Sequence, residues 1–97
     1  MQQETFENKN ITIAMKTTFE SYWMRKDGIK HGDSKAELAW VKKYGKEVGD
    51  IIDDEKNETI RSLILNAFNT KSDELKKNEY YEEAIKLIKE KIQELVA

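Results

Sequence analysis

The 97-residue chain contains no cysteine, no proline and only four glycines. The missing cysteines exclude disulfide frameworks, thiol catalysis and thiolate metal sites together. The missing prolines remove the strongest breaker of helices, and 37% charged with 38% hydrophobic residues is a composition typical of amphipathic helices. A domain of this length buries roughly 60 to 65% of its unfolded surface, so we expect a core but no deep enclosed active site.

Long hydrophobic runs and a strong net charge are also missing. No stretch approaches the ~18 apolar residues of a membrane span, and the first ten residues lack the basic and apolar segments of a signal peptide. The 19 acidic and 17 basic residues give a net charge of −2, too close to neutral to draw the whole molecule onto nucleic acid or acidic lipid. We therefore expect a cytoplasmic protein that does not bind membranes.

Apolar residues recur at helical spacing in four segments, which predicts a small all-α bundle. The predicted helices cover residues 10–25, 34–48, 53–69 and 73–96. They belong to one domain, residues 10–97, that follows a flexible N-terminus, residues 1–9. Residues 11–15 also alternate as a strand would, and a strand there would imply β-pairing between subunits.

The second predicted helix carries a start signal and a single apolar stripe. Ser34 and Glu37 have the spacing of a capping box. The stripe comprises Leu38, Val41, Gly45, Val48 and Ile52. Because glycine weakens a helix by roughly 1 kcal/mol relative to alanine, we expect a break or bend between residues 45 and 53. The missing Cβ of Gly45 is expected to let a neighbouring helix come close.

The charge of the chain reverses near its middle. From Met24 to Lys46, seven basic and three acidic residues give +4, and from Glu47 to Glu58, six acidic residues and one basic residue give −5. Asp53, Asp54 and Glu55 are predicted to lie in the first turn of the third helix, where the helix dipole favours carboxylates. Adjacent segments of opposite sign suit a protein partner, or head-to-tail self-association, better than a uniform polyanion.

Residues 22–40, YWMRKDGIKHGDSKAELAW, contain both tryptophans and the only histidine. Their Asp-Gly and Gly-Asp pairs predict a turn between two helices. The alternative makes His31 a general base or, with Asp27 and Asp33, a metal ligand. It lacks both the further ligands of a zinc site and the acidic register of a calcium loop. We therefore predict no enzyme activity, no cofactor and no metal site.

The aromatic residues on both sides of this turn present a choice between core and surface. Trp40 and Tyr44 lie off the predicted stripe, so either they are buried, which is the favoured outcome, or they contact a partner. Tyr22 and Trp23 pose the same choice. The residues predicted to contact a partner are Tyr22, Trp23, Trp40, Lys43, Tyr44, Asp50, Asp53 and Asp54.

The leading hypothesis for function is a small protein-binding module of the inhibitor, immunity-factor or adaptor type, which acts by occupying a partner's surface. One alternative is a regulator that binds nucleic acid through Lys35, Lys42, Lys43 and Lys46. Another is a structural subunit that assembles through the last helix or an N-terminal strand. In size and helical layout the chain resembles small bacterial and phage proteins, including bacteriocin immunity proteins, and this architectural resemblance implies no site. Both a monomer and a homodimer remain open.

Overall fold

The computed structural model describes the backbone of residues 9–96 and the side chains of residues 12–94. Every regular element in this range is helical, which confirms the predicted all-α bundle. The first rod is α1 (Lys9–Lys26). The second, the composite helix, joins α2 (Ser34–Trp40), a π-helical turn (Val41–Gly45) and α3 (Lys46–Asp53). The third and fourth rods are α4 (Glu58–Asn69) and α5 (Glu74–Val96).

Residues 11–15 lie inside α1, so their helical interpretation is confirmed and the strand alternative is wrong. Met15, Phe19 and Trp23 follow one another at steps of four residues, and all three side chains are fully buried. This buried side of α1 packs against α4 and α5. Of the predicted flexible N-terminus, Lys9 belongs to α1, and residues 1–8 lie outside the described residues.

The segment between α1 and α2 is the predicted turn. Gly28 and Gly32 have positive φ angles of 89° and 90°, which other residues adopt only with strain. The start of α2 differs from the predicted capping box, because Asp33 rather than Ser34 occupies the cap position. Asp33 Oδ1 accepts a hydrogen bond from Ala36 N at 3.2 Å, which satisfies one of the amides left unpaired at a helix start.

The composite helix buries a side that differs in part from the predicted stripe. Val48 and Ile52 are fully buried as predicted, but Leu38 is 55% exposed and Val41 43% exposed. Trp40, at 4% exposure, takes the core position instead. The π turn between the two halves causes the difference, because its i to i+5 hydrogen bonds accommodate an extra residue and change the direction of the residues before it. The buried positions of the composite helix are therefore 40, 48, 51 and 52, and Tyr44 is partly buried against them.

The predicted break between residues 45 and 53 is wrong, since the helix continues through both glycines to Asp53, while the alternative of a bend stays a prediction. A Cβ on Gly45 would lie 3.0 Å from Cγ1 of Val41 in the same helix, whereas a Cβ on Gly49 would meet no other element within 4 Å. Gly45 therefore makes room for Val41 within the π turn and not, as predicted, for a neighbouring helix.

The acidic residues that follow α3 do not lie in a first helical turn, which corrects the prediction. Asp53 is the last residue of α3, Asp54 caps it, and α4 begins only at Glu58. Carboxylates here stand at the negative end of the α3 dipole, which disfavours them. The negative charge of Asp53 is compensated by Lys16 of α1, whose Nζ lies 2.9 Å from Asp53 Oδ1.

Two side chains near the start of α4 satisfy the last carbonyls of α3. Asn57 Nδ2 donates a hydrogen bond to Ile51 O at 2.9 Å, and Arg61 Nη1 donates one to Ile52 O at 2.6 Å. Carbonyls at a helix end lack partners within the helix. The positive charge of Arg61 also suits the negative end of the dipole, so this contact holds the end of the composite helix against α4.

α4 and α5 form the most extensive helix pair of the bundle. α4 ends at Asn69 as predicted, and Asp73, just before α5, accepts a hydrogen bond through Oδ1 from Lys76 N at 3.0 Å. The short connection makes the two helices antiparallel neighbours. Their buried side chains are Ile60, Ile64, Ala67, Tyr81, Ala84, Ile85 and Ile88.

Candidate functional site

Two of the predicted contact residues are core residues. Trp23 is fully buried and Trp40 is 4% exposed, so burial, the favoured outcome for Trp40, is confirmed. Their ring centroids lie 5.5 Å apart in an edge-to-face arrangement. Trp40 Nε1 also donates a hydrogen bond to Asp27 Oδ2 at 3.3 Å. Neither tryptophan is therefore available as a surface anchor in the folded chain, which corrects their assignment to a contact surface.

Tyr44 lies at the boundary of this aromatic cluster. Its ring centroid is 5.6 Å from the ring centroids of both Trp23 and Trp40, and its side chain is partly exposed. Lys43 Nζ lies 5.0 Å from the Tyr44 ring centroid, within the range of a cation–π contact. One side of Tyr44 thus belongs to the core, while the rest borders an open groove.

The Tyr44 groove is the open channel between the composite helix and the C-terminal half of α5. It consists of two adjoining depressions that share Tyr44 and Ile92. The depression nearer Asp54 has a volume of about 860 Å³, and the depression nearer Lys26 has one of about 790 Å³. The apolar residues of the groove are Tyr44, Ile51, Ile85 and Ile92. Both depressions are open clefts, a shape that suits a macromolecular surface better than an enclosed small molecule.

Charged side chains border the groove along its whole length. The depression nearer Asp54 has three lysines and four carboxylates: Lys43, Lys46, Lys91, Glu47, Asp50, Asp54 and Glu94. The depression nearer Lys26 has three lysines and two glutamates: Lys26, Lys86, Lys89, Glu82 and Glu90. The groove is therefore slightly negative at its Asp54 end and slightly positive at its Lys26 end.

The structure brings together only part of the predicted contact set. The members that line the Tyr44 groove are Lys43, Tyr44, Asp50 and Asp54. Asp53 instead binds Lys16 on α1. Tyr22 lines a separate depression between α1 and the start of α5, and its hydroxyl donates a hydrogen bond to Glu82 Oε2 at 3.2 Å. Partial burial, followed by the charge of Glu82 and this hydrogen bond, raises the pKa of Tyr22.

Sequence reasoning missed the α5 side of the groove. The predicted contact residues include none of α5, although its apolar residues form a stripe at steps of three and four residues. Ile92 is partly exposed, one turn beyond Ile88, which is the last fully buried residue of α5 among the described side chains. Lys89 lies with its Nζ 5.9 Å from the ring centroid of Trp23. The available signal was the continuation of the stripe to Ile92, but the partner of that position depends on packing between distant segments.

Arg25 organises the turn that contains the only histidine. Its Nη1 donates a hydrogen bond to Ile29 O at 3.0 Å, and its Nη2 donates one to Glu37 Oε2 at 2.6 Å. Nη2 also lies 3.2 Å from His31 Nδ1, which must act as the acceptor because a guanidinium only donates. These contacts tie α1 to the turn and to α2. Among the described residues, no group of three or more His, Asp or Glu residues is placed to hold a metal ion.

Two buried aromatic side chains each have a polar atom without a hydrogen-bond partner among the described residues. They are Trp23 Nε1 and the hydroxyl of Tyr81, whose side chain is 1% exposed. Burial raises the pKa of Tyr81 to about 12. Both atoms belong to the interior where α1 meets α5, and neither faces the Tyr44 groove as a lining group.

Comparisons of the chain with protein-family models, with curated proteins and with solved structures found no match. In the part of the chain that the structure describes, no helix combines the length and the apolar character needed to cross a membrane. Among the described residues, the Tyr44 groove combines a partly exposed aromatic ring, apolar residues and charged borders.

Proposed function

We propose that this chain is a small protein-binding module, without enzyme activity, that receives a partner in the Tyr44 groove. The observation that carries the proposal is a partly exposed aromatic ring at the centre of an open groove with apolar residues and charged borders. Protein interfaces typically combine an apolar centre with a polar rim. Tyrosine is enriched at their energetic hot spots, where surrounding residues exclude water.

An amphipathic helix of the partner is the occupant that fits this groove. The composite helix and α5 border an elongated apolar channel, and a third helix can place side chains at i, i+4 and i+7 along it. Its apolar side would contact Tyr44 and Ile92, which belong to both depressions. Because the charge of the groove reverses along its length, the partner helix should be acidic near Lys89 and basic near Asp54. This binding mode serves an inhibitor, an immunity factor or an adaptor equally well.

The test is affinity capture from a lysate of the native cell, with and without nuclease treatment and at two salt concentrations, with mass spectrometry of the retained protein. The groove variant combines Lys86→Glu with Lys89→Glu, both at the Lys26 end of the groove, where the partner helix should be acidic. The matched control combines Lys30→Glu with Lys76→Glu. All four lysines are exposed, and the two variants change the net charge equally. The groove variant changes lysines that line the groove, whereas the control changes lysines that line neither depression.

We expect the wild-type chain and the control to retain the same protein in stoichiometric amount. The groove variant should retain at least about tenfold less of this protein, because reversed charges at a binding surface repel the partner. The partner's retained segment should be an amphipathic helix with the stated charge order. Equal capture of that protein by the wild-type chain and the groove variant would contradict the proposal.

The nucleic-acid hypothesis loses part of its basis. Lys35, Lys42 and Lys46 are exposed on the composite helix, as the hypothesis requires. Lys46, however, donates a hydrogen bond to Asp50 at 3.1 Å, which raises the pKa of Lys46, and Asp50 adds a carboxylate beside the lysines. Carboxylates in this position repel phosphates. Nucleic-acid binding stays a prediction, which the same capture experiment supports only if nuclease or higher salt removes the retained material.

A further inference from the structure

The outward side of the composite helix carries an exposed apolar pair. Among the side chains that the structure describes, the large apolar ones that are exposed are Ile13, Leu38, Val41 and Leu75. Leu38 and Val41 are three residues apart on one helix, so their side chains adjoin. The π turn causes this exposure, because it brings Trp40 into the core in their place. Apolar side chains that adjoin on a surface mark an interaction site more strongly than scattered ones do.

The charge of this outward side reverses along the helix. Lys42 precedes its centre and Asp50 follows it, each four residues from Lys46, and all three side chains are exposed. Val41 and Gly49 are likewise placed symmetrically, four residues before and four residues after Gly45. A surface that is positive on one side of its centre and negative on the other is complementary to itself after a rotation of 180°.

We propose that a second copy of this chain binds to the outward side of the composite helix, antiparallel to the first, about a two-fold axis near Gly45 and Lys46. This pairing places Lys42 of each copy opposite Asp50 of the other. It also places Val41 opposite Gly49 of the other copy, where a Cβ would meet no other element within 4 Å of its own chain. The two Lys46 side chains approach the axis, each bound to Asp50 of its own chain at 3.1 Å. The Lys42–Asp50 contact centres the axis on residue 46 and the Val41–Gly49 contact centres it on residue 45. These centres differ by about 1.5 Å along the helix, so one axis between them serves both contacts.

The length of the composite helix limits the strength of this pairing. Its span of residues 34–53 corresponds to about 30 Å at 1.5 Å per residue, and a contact strip about 10 Å wide covers roughly 300 Å² per copy. Stable interfaces bury about 800 Å² per partner. The dimer is therefore expected to be weak and concentration-dependent.

The test is sedimentation equilibrium of the full chain from about 0.01 to 2 mM, a range across which a weak dimer populates measurably. Lys42→Glu and Asp50→Lys are measured separately and as an equimolar mixture. Each variant alone places like charges across the axis, so its association constant should fall about tenfold or more. The mixture should recover association to within about threefold of the wild-type chain, because both contacts then join opposite charges again.

Gly49→Leu separates this surface from the Tyr44 groove, since Gly49 lines neither depression whereas Asp50 borders one of them. We expect Gly49→Leu to abolish pairing while the helical circular dichroism is retained, and the control Lys76→Glu to pair as the wild-type chain does. The groove variant Lys86→Glu with Lys89→Glu should also pair normally, so failure of one proposal is visible without failure of the other. A wild-type chain that stays monomeric at about 2 mM, pairing that survives Gly49→Leu, or a mixture that pairs no better than its components would each overturn the proposal.

Discussion

The two halves of the composite helix differ in whether the residues of the predicted apolar stripe are buried. In α3, Val48 and Ile52 are buried where the stripe predicts them, whereas in α2 and at the start of the π turn Leu38 and Val41 are exposed and Trp40 is buried. The wider π turn stands between the halves. An apolar stripe therefore identifies the buried side of a helix only while the twist per residue stays constant.

The same turn links the core of the molecule to both proposed surfaces. Bringing Trp40 inward lets its ring pack against Trp23 and places Tyr44 between the aromatic cluster and the groove. It also leaves Leu38 and Val41 on the outward side. π turns within α-helices occur frequently at functional sites. In this chain the turn divides the aromatic residues into core and surface, a division that a regular helix would make differently.

The largest expected effect on the free energy of unfolding comes from alanine substitution of a buried residue of the composite helix, compared with the same substitution of an exposed one. Trp40→Ala should lower the free energy of unfolding by about 3 to 5 kcal/mol, because it removes a buried aromatic ring and leaves a cavity. Leu38→Ala should change it by less than about 0.5 kcal/mol, because Leu38 is largely exposed. Urea denaturation of both variants measures the difference. Equal losses at the two positions would mean that the helix has no shift in register.

A smaller loss is expected at the end of the α3 half. Arg61→Ala should cost about 2 kcal/mol, because the hydrogen bond from its charged guanidinium to Ile52 O is lost where the helix carbonyls have no other helical partner. Arg61→Lys keeps the charge and should recover part of the loss. Denaturant unfolding of the two variants distinguishes capping from packing. If Arg61→Ala leaves stability unchanged, α4 does not hold the end of the composite helix.

A gain in stability is expected inside the core that receives Trp40. Tyr81→Phe should stabilise the fold by about 1 kcal/mol, because it removes a buried hydroxyl that has no partner among the described residues. The pKa of Tyr81 is raised from 10.0 to about 12 by burial, so the folded chain holds this proton more tightly than the unfolded chain. The associated stability is complete below pH 10 and is lost as the pH rises through 12.

The variant should therefore lack this alkaline loss, and the difference in unfolding free energy between Tyr81→Phe and the wild-type chain should widen above pH 10. Chemical denaturation at a series of pH values measures it. A difference that stays constant between pH 10 and 12 would show that the Tyr81 hydroxyl is solvated in the folded chain.

The smallest effect compares the two glycines of the composite helix. Gly49→Ala should stabilise by about 0.5 to 1 kcal/mol, the usual gain in a helix interior, because its Cβ meets no other element. Gly45→Ala should raise the stability by less than Gly49→Ala does, or lower it, because its Cβ would lie 3.0 Å from Val41 Cγ1. Val41→Ala combined with Gly45→Ala should restore the gain. Thermal unfolding of the three variants measures the order, and equal gains at both glycines would contradict a crowded π turn.

Much of the fold could be predicted because its signals are local. Met15, Phe19 and Trp23 mark one side of α1 by spacing alone, Asn69 ends α4, and Asp73 caps α5. The π turn had no such signal, since Gly45 indicated a weak point but not a wider turn or its position. Local patterns predicted these features, but they placed the start of α4 at residue 53 instead of Glu58 and gave no indication of the π turn.

Only the part of the candidate site that lies along one helix could be predicted from local signals. Lys43, Tyr44, Asp50 and Asp54 could be grouped because they lie near one another along the composite helix. The α5 side of the groove, with Ile92, requires contacts between segments that are distant in sequence. Spacing within a single helix carries no information about such contacts.

Thiol labelling of single-cysteine variants tests the register of the composite helix most directly, and the chain suits it because the sequence has no cysteine of its own. The variants are Leu38→Cys, Val41→Cys and Val48→Cys, each treated with a maleimide under native conditions. We expect the first two to react about as fast as an unfolded control and Val48→Cys to be strongly protected, because only Val48 is fully buried. Equal protection at all three positions would restore the single stripe of a regular helix and contradict both the shift at the π turn and the outward surface that follows from it.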